Sequence, residues 1–236
     1  MRQWRLISKI DGTDTRQDKI YQRNRVEIPT AERDIQTIEI KGRNGSLTKE
    51  YGFKDILLPV EYFFYEKEEF EPYFRRFKQR LLNAKTLIVN RDNGLFYKIK
   101  SAQIEVALSE RDMLGEFTVN YTLDPFLYEI SNAPQTITSR TVITNEGYET
   151  QPIITATCSG TGKIYVNDVP IVIQNINGTI TINSEMMNAY RKVGALVTNL
   201  NSHMVGDFPV LRHGDNVIDF DGDISKLELI KNKRWL

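Results

Sequence analysis

The 236-residue chain has little cysteine, histidine or tryptophan, and no excess charge of either sign. Its single cysteine, Cys158, excludes an intrachain disulfide framework. It stands in Ile154-Thr155-Ala156-Thr157-Cys158, where Ile154, Ala156 and Cys158 share one face of a strand. It therefore reads as a small buried hydrophobe and not as a reactive thiol. Lys+Arg and Asp+Glu both total 31. A general nucleic-acid binder is expected to carry a basic excess, so no nucleic-acid partner is expected. A neutral chain has little self-repulsion, which is compatible with assembly. No apolar run is long enough to cross a membrane. The stretch Met1-Arg2-Gln3-Trp4-Arg5-Leu6-Ile7-Ser8 lacks the apolar core of a signal peptide, so synthesis and folding in a cytoplasm are expected. No tandem repeat and no low-complexity segment is present.

Catalytic and ligand-binding signatures are missing too. Gly160-Thr161-Gly162-Lys163 lacks the upstream glycine of a phosphate loop, since Thr157 holds that place. A strand pattern follows Lys163 where a helix N-terminus is needed, so a β-turn is expected. Asp219-Phe220-Asp221-Gly222-Asp223 has calcium-like spacing, but its twelfth position is Ile230 and not a closing glutamate. A hairpin with its turn at Asp221-Gly222 is expected there. His203 and His213, the only histidines, lack a neighbouring ligand set for a metal and read as solvated or capping side chains. No nucleophile elbow appears. Asn177-Gly178-Thr179 matches a glycosylation sequon and is expected to be a hairpin turn. The expectation is a protein with no catalytic residue, no cofactor and no metal.

The apolar fraction of 40% and charged fraction of 26% are those of an ordinary globular protein, and the length suits one or two domains. Residues 34–40 alternate, with Ile38 and Ile40 on one face. Residues 41–54 form a polar, turn-rich excursion through Asn44-Gly45. Either an ordinary exposed hairpin or an arm toward another subunit fits it. A strand follows over 56–65. Phe70, Phe74, Phe77 and Leu81 make one stripe of a helix over 70–83, with Pro72 tolerated in its first turn. Strands are expected over 86–89, 96–99, 104–108 and 117–123, with turns at 91–94 and 110–115. The last strand is expected to end at Asp124-Pro125, because proline cannot donate to a central ladder.

Beyond a polar linker over 131–139, short strands are expected at 153–158, 163–166, 170–173, 179–182, 217–220 and 227–230. A helical turn is expected at 186–191, and turns at Asn167-Asp168 and at the glycines above. Such spacing predicts a β-sandwich or barrel. Sugar platforms favour tryptophan, but Trp4 and Trp235 stand at the chain ends. Tyr148, Tyr165 and Tyr190 are the aromatic alternatives in the second half.

Taken in order, several segments resemble the distal tail proteins, Dit, of long-tailed phages and prophages of Gram-positive bacteria. They are Arg43-Asn44-Gly45-Ser46-Leu47 with Tyr51 and Ile56, the helix over 70–82, Tyr97, and Phe117-Thr118-Val119-Asn120-Tyr121-Thr122-Leu123-Asp124-Pro125-Phe126-Leu127-Tyr128. The second half adds Asn145-Glu146-Gly147-Tyr148-Glu149-Thr150-Gln151-Pro152-Ile153-Ile154, Phe208-Pro209-Val210-Leu211 and Gly214-Asp215-Asn216-Val217-Ile218. The resemblance implies a mainly β protein. Residues 1–131 would be a ring-forming, tail-tube-like split β-barrel with one amphipathic helix. Residues 132–236 would be a galectin-like β-sandwich. It also implies a homohexameric ring at the distal end of the virion tail. The implied partners are the tail tube protein, the tail-associated lysin or tip protein, and a receptor-binding protein. The ring interface is expected to include Arg43, Asn44, Gly45, Ser46 and Leu47. The alternative is a β-sandwich module that binds host cell-wall glycan.

Overall fold

A period of two in the sequence becomes sheet through most of this chain. The computed structural model describes residues 6–65, 67, 69–91, 93–109 and 114–236, with backbone alone at 106–109 and 114. Residues 1–5 with Trp4, Asp92 of the turn expected at 91–94, and most of the turn expected at 110–115 lie outside the described residues. So do the side chains of Val106 and Leu108. Among the described residues the fold is mainly β with one α-helix, and two compact units divide the chain between Ile130 and Ser131.

The first unit contains β1 (Lys9–Ile10), β2 (Thr13–Asp14), β3 (Tyr21–Gln22), β4 (Arg33–Glu39), β5 (Ser46–Phe53), β6 (Ile56–Tyr65), α1 (Phe70–Leu82), β7 (Thr86–Ile88), β8 (Leu95–Ser109) and β9 (Leu114–Glu129). Seven strands run in the order β2-β1-β7-β8-β9-β6-β3, each antiparallel to its neighbours. The sheet curls into a half-barrel. Ile56, Leu58, Val60, Tyr62 and Phe64 point inward from β6, and Phe117, Val119, Tyr121 and Leu123 from β9. The α1 stripe of Phe70, Phe74, Phe77 and Leu81 is buried against them, as its spacing predicts. Rings converge on Phe117, with centroids 4.9 Å away for Phe74, 5.6 Å for Phe77, 5.7 Å for Tyr62 and 6.3 Å for Phe70. Each such phenylalanine contributes roughly 1.5–3 kcal/mol by burial. Gly115 makes room for this contact, because a Cβ there would lie 2.6 Å from the Phe70 ring.

Two devices fasten the surroundings of this core. The C-terminal turn of α1 carries Arg80, which pairs with the buried Asp18 and donates to the carbonyls of Thr13 (2.8 Å) and Ile10 (3.3 Å). The buried Tyr62 hydroxyl lies 2.8 Å from the Ser8 hydroxyl and 3.1 Å from that of Tyr121, so a chain of three hydroxyls satisfies itself. The strand expected to stop at Pro125 instead runs on to Glu129. The ladder with β8 pairs Ile99 with Leu123 and Tyr97 with Leu127, so Pro125 falls in a bulge where no N–H is needed. The segments expected at 96–99 and 104–108 are parts of the one strand β8.

The second unit contains β10 (Gln135–Ile137), β11 (Thr141–Asn145), β12 (Ile153–Val166), β13 (Val169–Asn183), β14 (Asn188–Val193), β15 (Leu196–Asn199), β16 (Met204–Val205) and β17 (Gly214–Ile230). Its sheet runs β10-β17-β12-β13-β14-β15, with β11 also on β17 and β16 also on β13. The Asn167-Asp168 turn forms as expected, with both residues at positive φ, and joins β12 to β13. Three other expected turns do not form. Gly160-Thr161-Gly162, Asn177-Gly178 and Asp221-Gly222 lie inside β12, β13 and β17, so six expected short strands are three long ones. The ladders slip beside Gly160 and Gly162, where Gly162 pairs with Gly222, whereas Gly178 stays in register opposite Cys158. Glycine bulges bend the strands instead of reversing them. Ile154, Ala156 and Cys158 before the bend then share one core with Ile164 and Val166 after it. The helical turn expected at 186–191 is also absent, since Asn188–Val193 is β14.

Gly222 shows why the bend needs glycine. Its φ is +75°, and a Cβ would stand 2.7 Å from the Thr161 carbonyl oxygen and 2.8 Å from Gly162 Cα. Gly222→Ala is expected to destabilise the second unit by about 1–3 kcal/mol in urea denaturation, whereas an exposed β17 substitution such as Ser225→Ala stays within about 0.5 kcal/mol.

Burial raises the Tyr62 hydroxyl above tyrosine's ordinary range, and burial together with the neighbouring Tyr62 raises Tyr121 further. The folded state holds the neutral form of both. Their contribution is therefore constant below the unfolded tyrosine pKa of about 10 and is lost as pH rises past it. Ultraviolet titration is expected to show these two of the 11 tyrosines ionising only as the first unit unfolds.

Candidate functional site

Among the described residues, β4 and β5 pair with each other and with no other strand. Every residue of this ribbon is exposed except the half-buried Phe53 at its root. The alternating residues 34–40 and the excursion 41–54 are thus two sides of one hairpin. Strands of seven and eight residues reach about 23–27 Å from the root at rises of roughly 3.3–3.4 Å per residue. Such a ribbon alone is only marginally stable in water.

The root is held firmly. The Asn90 side chain accepts from the Gln22 amide and the Val26 N–H, both at 2.8 Å, and donates to the Val26 carbonyl at 2.8 Å. Arg23 N–H donates to the Glu61 carbonyl at 2.9 Å, and Lys54 N–H to the Glu32 carbonyl at 2.8 Å. The ribbon therefore rises from an anchored base.

Cross-strand register sorts its side chains. Ile38 faces Leu47, and Gln36 faces Lys49. A bulge opposite Asp34 and Ile35 leaves Tyr51 unpaired in the ladder, and its hydroxyl donates to Gln36 Oε1 at 2.8 Å. Ile38, Leu47 and Tyr51 therefore share one face, and the Lys49 ammonium lies 4.8 Å from the Tyr51 ring centroid. The opposite face pairs Ile35 with Glu50 and Thr37 with Thr48, and Arg33 bridges to Glu50 at 3.1 Å. Ile35, Ile38, Ile40, Leu47 and Tyr51 are each between 39% and 55% exposed. That is a concentration of apolar surface on one thin element.

The predicted interface residues fall at the distal end of this ribbon. Arg43, Asn44 and Gly45 form the turn, with Gly45 at φ +77°. Ser46 and Leu47 open β5, opposite Glu39 and Ile38. The sequence did not reveal the returning strand to Phe53. Its signal was the Thr37–Thr48 match across Asn44-Gly45.

The remaining candidates are accounted for inside the fold. Cys158 is buried in the second core. Gly160 to Lys163 is strand, with no helix after it to face a phosphate. Asp219 accepts from the Phe220 N–H, Asp221 from the Tyr165 hydroxyl and Asp223 from the Thr161 N–H, all at 2.9 Å. Each histidine donates through Nδ1–H to a backbone carbonyl at 2.9 Å, His203 to Gln174 and His213 to Gly147. Among the described residues no group of three His, Cys, Asp or Glu is placed to hold a metal ion. A cleft of about 270 Å³ beside Arg25, Asn90 and Tyr97 has no carboxylate, histidine, cysteine or serine among the described residues that line it. Tyr148 lies under the Arg234 guanidinium (5.9 Å), Tyr165 is held by Asp221, and Tyr190 is half-buried in β14.

Two buried asparagines of the sequence resemblance prove to be loop clamps. Asn145 donates to the carbonyls of Tyr148 and Leu211 and accepts from Gly147 N–H. Asn216 accepts from Arg212 N–H and from the Asn167 amide, and donates to the carbonyls of Arg212 and Gly214.

No protein-family model matches the chain, and no curated protein matches it. Solved structures do match. SPP1 Dit (gp 19.1), described as a paradigm of the hub adsorption apparatus in phages that infect Gram-positive bacteria, aligns with a TM-score of 0.72 at 13% identity. The alignment covers 98% of this chain and 99% of that one. A chain of the phage P2 baseplate, in its activated conformation with Ca, gives a TM-score of 0.56 at 11% identity, over 95% of this chain and 96% of that one. The strontium form gives 0.52 at 10% identity, over the same shares of the two chains. The fold of this chain is that of the Dit proteins.

Because the ribbon gives almost nothing to the core, its removal is a clean test. Replacing residues 34–52 by an Asn-Gly turn is expected to leave the thermal transition of the first unit within about 0.5 kcal/mol of the intact chain, followed by circular dichroism. A larger loss would assign the ribbon to the fold and not to a partner.

Proposed function

We propose that this chain is a non-enzymatic structural hub of a phage tail tip, at the distal end of the virion tail. It forms a homohexameric ring that joins the tail tube protein to the tail-associated lysin or tip protein and the receptor-binding apparatus. Residues 1–131 build the ring, and residues 132–236 form a galectin-like periphery. The observation that carries this reading is an anchored, exposed, self-paired ribbon with an apolar face, on a fold that matches SPP1 Dit along nearly its whole length. A ribbon on one chain has to meet a different surface on the next. Such a heterologous contact generates a ring when the rotation closes. Arg43, Asn44, Gly45, Ser46 and Leu47 lie at that contact.

Light scattering after size exclusion, over a concentration series, tests it. The expected mass is six times the 27.3 kDa chain, or a stacked pair of such rings, and the ribbon-deleted chain runs as a monomer. A mass fixed at one or two chains for the intact protein at every concentration counts against the ring.

A further inference from the structure

The ribbon's turn carries two cations, Lys41 and Arg43, that have no side-chain partner among the described residues. Nearer the root Arg33 bridges to Glu50 and Lys54 to Glu32, and Glu39 is the one anion beside the turn, opposite Ser46. The first unit also bears a cleft of about 250 Å³ whose lining includes Glu61, Glu105, Glu116 and Arg23. These carboxylates spread across three adjacent strands. Glu61 on β6 pairs with Thr118 on β9, whose neighbour Val119 pairs with Ile104, next to Glu105 on β8. Arg23 bridges to Glu116 at 2.7 Å, and the Asn24 amide donates to Glu61 at 2.8 Å. Glu105 has no partner among the described residues, so the cleft keeps an excess of negative charge.

Two apolar side chains flank it along β6. Leu57 and Tyr65, each 71% exposed, stand on the same outward face of β6 as Glu61, four residues to either side. Four residues of strand span about 13 Å. The cleft thus offers separated carboxylates between two exposed apolar side chains. The ribbon offers separated cations beside Ile38, Ile40 and Leu47.

We infer that the ribbon turn of one chain docks in this cleft on a second copy. Lys41 and Arg43 meet Glu61 and Glu105, and the apolar ribbon face covers Leu57 or Tyr65. The inference rests on the ring reading above and names the surface that receives the ribbon. Two cations two residues apart in a turn have Cα atoms at most about 7 Å apart. Two strand spacings put Glu61 and Glu105 about 10 Å apart, within reach of long flexible side chains. A single metal ion fits this spread poorly, in keeping with the absence of any metal-holding group among the described residues. Opposite charges at such a contact set register and partner, and like charges oppose it.

Charge reversal on the full chain tests the docking. The ribbon variant is Lys41→Glu with Arg43→Glu, the cleft variant is Glu61→Lys with Glu105→Lys, and a third chain combines all four. Circular dichroism melting checks that each folds, which their exposed positions favour. By sedimentation, each pair is expected to raise the half-dissociation concentration at least about tenfold, and the combined chain to return to within about threefold of the original. Zero-length cross-linking of mixed light and heavy-nitrogen chains is expected to join Lys41 to Glu61 or Glu105 between chains. If the original chain assembles and neither reversal weakens it, or the combination does not restore it, the docking is wrong and the ring stands. If the original chain does not assemble at all, both fall. Assembly that needs added calcium and survives the ribbon reversal assigns the cleft to a cation and overturns the docking.

Discussion

The convergence of aromatic rings on Phe117 is the contact on which the first unit depends. Phe70, Phe74 and Phe77 from α1 and Tyr62 from β6 meet it within 4.9–6.3 Å. A curled sheet with one helix has a small interior, and large rings fill it with few residues. The same packing fixes α1, whose Arg80 then holds Asp18 and the carbonyls of Thr13 and Ile10. Without that cluster the short strands at the start of the chain have little to lie on. With it, the segment from Gln22 to Val26 is a fixed base, tied through Asn90.

What rises from that base is the opposite kind of structure. The β4–β5 ribbon has local ion pairs and cross-strand threonines but no core, and its isoleucines face water. A thin element of this kind gains most when a second surface covers it, since burial is the term it lacks. Rigid base and unburied ribbon together are what the proposed docking on another chain requires. The second unit solves a different problem with glycine. Long strands bulge at Gly162 and Gly222, and one sheet wraps its own core.

The sequence was informative where a single period governed a segment. The 4-3-4 spacing of Phe70, Phe74, Phe77 and Leu81 gave the helix and its buried face, and the apolar and aromatic run over 56–65 gave β6 with its bounds. It misled where one residue type serves two backbone geometries. Glycine after Asn177 or Asp221 reads as a reversal, yet Gly178 and Gly222 take a positive φ inside strands that run on without turning. Pro125 reads as a strand end, yet a bulge removes the need for its N–H. The ribbon was half legible. Asn44-Gly45 marked its turn, but the polar strand after it lacks the apolar alternation that identifies a buried strand, because neither of its faces meets a core.

Hydrogen exchange of the backbone amides tests the central claim most directly, comparing the dilute chain with the concentrated one. Amides of residues 33–53 are predicted to exchange quickly in the dilute chain and to become protected on assembly, together with those of β6 and β8 around Glu61 and Glu105. Protection confined to the second unit, with the ribbon exchanging equally fast in both states, would contradict the account.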